Sequence, residues 1–135
     1  MTAHGLVHWN ELNTHDSEAA RDFYGKALGW TFEPLDMPDG SQYWLIRSGE
    51  AMVGGIFEMV HPAFDGIPEH WFTHFSVDDL DARLEKARAA GATIMREPFD
   101  VPGVGRLATL QAASGSYCAW IQPEHAHGAD TGEAS

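Results

Sequence analysis

A chain of 135 residues is enough for one domain that folds around its own core without a disulfide or a metal. Eight Lys and Arg against 20 Asp and Glu give a net charge of −12, which excludes the basic footprint that nucleic acid or an anionic membrane demands. The single Cys118 excludes an intrachain disulfide and fits a reducing compartment.

In chain order, the amino-terminal MTAHGLVHW lacks the charged start and apolar centre of a signal peptide. No apolar run has the length of a membrane-spanning helix, so a cytoplasmic protein is expected. Leu6 to Thr14 reads as a strand, with Leu12 and Thr14 on one face and Trp9, Glu11 and Asn13 on the other. Asp16 suits the N-cap of a helix that runs to about Leu28 and stops at Gly29. Three strands follow, Trp30 to Leu35, Gln42 to Arg47 and Ala51 to Glu58, separated by the turns MPDG and SGE. A linker with Pro62, Gly66 and Pro68 occupies residues 59–69.

The order then repeats. Trp71 to Val77 is a strand, and Asp78 or Asp79 caps a helix with Leu80, Leu84 and Ala87 on one face. Gly91 ends it. Thr93 to Arg96 starts a strand, FDVPGVG is a loop, and Arg106 to Gln111 and Ser116 to Ile121 are the last two strands. The tail 124–135 has almost no apolar residues and is expected to be mobile. Overlaying the halves at an offset of 62 matches His8 with His70 and Trp9 with Trp71, whereas 63 matches Asp16 with Asp79. One residue exchanges the faces of a strand. The offset of 63 is adopted for the strands, because it leaves Trp71, Thr73, Phe75 and Val77 as one covered face. Glu11 and His74 then occupy equivalent positions on the uncovered face.

A tandem βαβββ order carrying DFYGKALGW, FSVDDLDA and PGVGRLATL resembles the vicinal oxygen chelate superfamily, which includes the glyoxalase and bleomycin-resistance proteins. The resemblance covers residues 6 to 123 and implies an α+β fold. In it, tandem βαβββ modules form a curved mixed sheet around a cavity, with module one at 6–58 and module two at 70–123. It also implies a homodimer, since each half-cup leaves a concave face. Metal-dependent members place His or Gln on the first strand and Glu on the last strand of each module. Carried over, those seats fall at Trp9, Phe72, Ala119 and near Gly54. None of these side chains binds a metal, so no cofactor is expected.

His8 points to the face opposite those seats, and His15 reads as a solvated loop residue. Glu11 and His74 are the candidate catalytic pair, since both project to the cavity side and an acid and an imidazole shielded there are costly without a purpose or a partner. Trp9, Asn13, Phe72, Ser76, Tyr117 and Ala119 are the candidate wall for a small molecule. Arg106 is expected to pair with an acidic neighbour, and Cys118 to face the helix as an inert thiol. His125 and His127 offer a metal no fixed geometry. Two functions stay open. One is a metal-free protein that binds a small apolar or aromatic molecule. The other is a lyase, isomerase or dioxygenase using Glu11 and His74 for proton transfer or as ligands of a divalent metal.

Overall fold

The computed structural model describes residues 4–37, 42–101 and 103–124. The turn MPDG, Pro102, and the tail with His125 and His127 lie wholly or partly outside them. Among the described residues the chain runs β1 (Val7–Thr14), α1 (Ser17–Leu28), β2 (Thr31–Asp36), β3 (Gln42–Ser48) and β4 (Ala51–Glu58). A short 3-10 turn at Pro62–Phe64 interrupts the linker. Then come β5 (His70–Ser76), α2 (Leu80–Ala89), β6 (Thr93–Val101), β7 (Gly105–Gln111) and β8 (Tyr117–Pro123). The fold is α+β, with the βαβββ order twice. None of the described helices is long and apolar enough to cross a membrane.

Contacts divide the chain into two compact units, Trp9–Phe72 and Met1–His8 with Thr73–Ser135. In the first unit β2 pairs with β3 and β3 with β4, both antiparallel, and β4 pairs with β1 in parallel. Pro34 is tolerated because β2 is the outer strand of this set and needs fewer ladder donors. The core is Leu12, Ala20, Ile46 and Ile56, surrounded by Tyr24, Trp30, Phe32, Trp44, Val53 and Trp71. Burying side chains of the Leu and Ile size stabilises by about 1.5–3 kcal/mol each. This core fixes which strand face meets α1, because Leu12 pairs with Ile56 across β1 and β4. Glu11 and Asn13 therefore point away from α1.

The second unit repeats the logic. β6 pairs with β7 and β7 with β8, antiparallel, and β8 pairs with β5 in parallel. Val77, Leu80, Leu84, Ala87, Ala108 and Leu110 form its core, with Ala92, Ile94, Cys118 and Trp120 packed on it. Cys118 thus lies on the α2 side, and burial raises its pKa. The amino-terminal segment belongs to this unit. Gly5 N–H donates to the Ser76 carbonyl at 2.7 Å and Ser76 N–H to the Leu6 carbonyl at 2.8 Å.

Local signals set the helix ends. Asp16 accepts from Ala19 N–H at 3.0 Å and Asp79 from Ala82 N–H at 3.2 Å, so the two caps stand 63 residues apart. α1 closes on Gly29 at φ 73, a left-handed conformation that costs glycine nothing. α2 is capped instead by Ala90, with Gly91 at φ 101 just beyond. β6 departs from the sequence expectation. It continues through Phe99, Asp100 and Val101, where the sequence predicts a loop, because these pair with Leu107, Arg106 and Gly105. Register shifts on either side of Arg96 accompany this continuation.

Candidate functional site

On the face of the first unit turned away from α1, strand alternation collects Trp9, Glu11 and Asn13 from β1. Tyr43 and Leu45 come from β3, and Gly55 and Phe57 from β4. Glu11 stands directly opposite Gly55. A methyl group at Gly55 would lie 1.9 Å from the Tyr43 hydroxyl and 2.2 Å from its Cζ. The phenol therefore lies across the bare backbone at Gly55, and only glycine leaves room for it. This placement carries the Tyr43 hydroxyl to Glu11, where it donates to Oε1 at 2.9 Å. Trp9 Nε1–H donates to the same phenol oxygen, also at 2.9 Å. Tyr43, 34 positions from Trp9 and 32 from Glu11, thus joins these two residues of β1 in one chain of hydrogen bonds.

Glu11 keeps some accessible surface, yet its carboxyl sits deep enough for burial to push its pKa up to about 7, against the opposing pull of the Tyr43 hydrogen bond. Burial, and then the Glu11 charge, raise the Tyr43 phenol above its usual range. Further along the same face, Asn13 Nδ2 lies 3.2 Å from His70 Nε2, and Asn13 Oδ1 is buried without a partner. Phe72 sits beside His70, with ring centroids 5.9 Å apart, and Phe57 meets Phe64 of the 3-10 turn edge-on at 5.8 Å. The face is therefore largely aromatic, with one carboxyl of raised pKa and one unsatisfied amide oxygen.

In the second unit, His74 is buried and stands opposite Ala119, which is fully buried. Ser76 is also buried, and its hydroxyl donates to the Leu6 carbonyl at 3.3 Å, holding the amino-terminal segment. Tyr117, at the start of β8, is 55% exposed. Glu11 and His74 fall in separate compact units, each at the same step of its own parallel strand pair.

The registers adjust one of the carried-over metal seats. Gly54 pairs with Ile46 on the core side, and the last-strand residue that shares the Glu11 face is Gly55. Ala119 stands level with His74, two residues beyond Phe72. Neither Gly55 nor Ala119 supplies a ligating atom, and one oxygen of Glu11 already accepts from Tyr43. Among the described residues no three His, Cys, Asp or Glu side chains gather as a metal site would require. The donor set does not fit the family's metal centre.

Elsewhere, Arg106 pairs with Asp81 at 3.0 Å and with Asp100 at 3.4 Å, so its partners are acidic as expected. His8 shares the strand face of Leu12, and partial desolvation lowers its pKa. His15 does more than face solvent. Its two ring nitrogens lie 3.2 Å from the Met59 carbonyl and 2.6 Å from the Ile67 carbonyl, tying both ends of the linker to the end of β1. Sequence reasoning missed Tyr43 as a site residue. The available signal was the glycine pair in β4, which announced that something must cross it.

The geometry can be set beside known proteins. The model of the Glyoxalase/Bleomycin resistance protein/Dioxygenase superfamily matches residues 5–115. CFP32 of Mycobacterium tuberculosis, provisionally named a glyoxylase, is 39% identical over 119 residues, covering 88% of this chain and 44% of that protein. The anthracycline biosynthesis protein DnrV of Streptomyces peucetius is 28% identical over 130 residues, covering 87% and 47%. The chain thus spans less than half the length of these relatives. Among solved structures, methylmalonyl-CoA epimerase from Mycobacterium tuberculosis superposes with a TM-score of 0.64 at 18% identity, covering 92% of this chain and 93% of that one. The hypothetical protein BH1468 from Bacillus halodurans gives 0.68 at 15% identity, covering 89% and 95%. At such identities the structural likeness concerns the fold alone.

Proposed function

Because the chain belongs to the glyoxalase/bleomycin resistance protein/dioxygenase superfamily, we propose that it binds a small planar aromatic molecule without a metal ion. In this reading the molecule lies on the aromatic face of the first unit, against Trp9 and Phe72, with Glu11 as its polar anchor. The observation that carries the reading is the Trp9–Tyr43–Glu11 chain laid over Gly55. It places one poised carboxyl in a largely aromatic setting that also holds the Asn13 amide, the usual composition of a small-molecule site. The relatives named for anthracycline biosynthesis lean the same way, since anthracyclines are fused-ring aromatic ketones.

The test uses prodan, a planar naphthyl ketone, added to protein dialysed against a chelator. Saturable, blue-shifted emission with one probe per chain is expected, and Phe72→Ala should weaken it by about tenfold, the loss typical of one aromatic contact. Absence of saturable binding, or binding that needs an added divalent ion, would end the reading. A homodimer accompanies it. Sedimentation velocity showing only monomer at micromolar concentration would remove that part.

A second reading has one observation in its favour. A carboxyl with a pKa near 7 is equally disposed to give or take a proton at neutral pH. A lyase or isomerase of the same superfamily could use Glu11 in this way. Turnover of a carbonyl substrate lost in Glu11→Gln, with prodan affinity retained, would favour catalysis over simple binding.

A further inference from the structure

The direction of the hydrogen bonds on the aromatic face decides more than the presence of a carboxyl. An indole N–H only donates, so Trp9 uses a lone pair of the Tyr43 oxygen. The phenol has one hydrogen, and it points to Oε1 of Glu11. With the phenol hydrogen directed at Oε1, Oε1 accepts, and the proton of a neutral Glu11 is carried on Oε2. Oε2 is not one of the buried orphaned atoms, and the Glu11 side chain keeps some accessible surface. The ring of Tyr43 cannot swing away cheaply, because it is seated over Gly55 between β1 and β3.

We propose that Trp9 and Tyr43 are positioning residues that commit Oε1 of Glu11 to accepting, so that Oε2 donates a hydrogen bond to a carbonyl oxygen of the bound molecule. The inference rests on the binding reading above and narrows its ligand to a planar aromatic carrying a carbonyl or an equivalent acceptor. A ligand with only donors would meet the proton on Oε2 head-on and be rejected. Discrimination of this type is strong because a buried polar group left unmatched is costly. Among the described residues the titratable and charged groups on this face of the unit are Glu11, Tyr43 on β3, His70 beside Asn13, and Glu33 of β2, which pairs with Arg47 of β3 at 3.3 Å. β4 contributes only Gly55 and Phe57. The carboxyl is largely neutral below pH 7, since burial holds its pKa at about that value, and donation belongs to that range.

The experiment follows the carbonyl stretch of bound prodan by infrared difference spectroscopy across a pH series. In the native protein the band should sit at low frequency in acid and move up as Glu11 ionises. In Glu11→Gln the Tyr43 hydroxyl holds the amide oxygen inward and turns the NH2 outward, so the low-frequency band should persist at every pH. In Glu11→Leu it should be absent at every pH. In Tyr43→Phe the carboxylate loses a donor, and the midpoint should rise by about one pH unit. Saturably bound prodan whose carbonyl band ignores pH, or is unchanged in Glu11→Leu, overturns this inference and leaves the binding reading standing. A protein that does not bind prodan at all overturns both.

Discussion

Replacing Glu11 by glutamine should stabilise the protein at alkaline pH and change it little in acid. The ordinary carboxyl pKa is 4.5 and the folded value is about 7. The folded state therefore holds this proton more tightly than the unfolded chain does. Stability is then highest below the unfolded pKa and falls as pH rises from 4.5 through 7, because the unfolded chain releases the proton first. At about 1.4 kcal/mol for each tenfold change, the whole difference costs the ionised folded protein about 3 kcal/mol, and water reaching the part-exposed side chain lowers this to about 2. Glutamine has the same shape, still accepts from Tyr43 and never ionises. Urea melts of both proteins from about pH 5 to about pH 9 should show the advantage of Glu11→Gln growing by about 2 kcal/mol and levelling off above neutrality. Taking the difference between the two proteins cancels the other acidic groups. A difference that stays flat with pH, or that favours the native protein in alkali, would refute the buried-acid argument.

The two adjacent glycines of β4 should respond differently to alanine. At Gly54 a methyl group would lie 1.9 Å from the backbone oxygen of Asn10, which cannot yield without separating β1 from β4. Gly54→Ala should give no cooperative thermal transition. At Gly55 the obstacle is the Tyr43 side chain. Gly55→Ala should fold, lose about 1–3 kcal/mol by overpacking, and reproduce the Tyr43→Phe behaviour toward prodan. Asp16→Ala removes the side-chain acceptor for Ala19 N–H and should cost about 1 kcal/mol in urea unfolding.

What the sequence determined by itself was what depends on neighbours along the chain. Alternation within β1 separates Leu12 from Glu11 whatever the rest of the chain does, and the Asp caps with Gly29 mark helix ends from local chemistry alone. The repeated βαβββ order and the motif resemblance therefore revealed the family, which the comparisons then showed independently. The strand that continues through Phe99 was not legible, because its pairing with Leu107 is made across the hairpin. The Tyr43 phenol was equally out of sight. Nothing adjacent to position 43 says that its ring crosses β4, and nothing adjacent to Gly55 says which side chain fills the gap. Only the tertiary structure sets β1, β3 and β4 side by side, and a hydrogen bond between residues 32 positions apart exists only once that pairing has been made. The hydrogen-bond partner of Glu11 is set by the folded sheet and not by its neighbours along the chain.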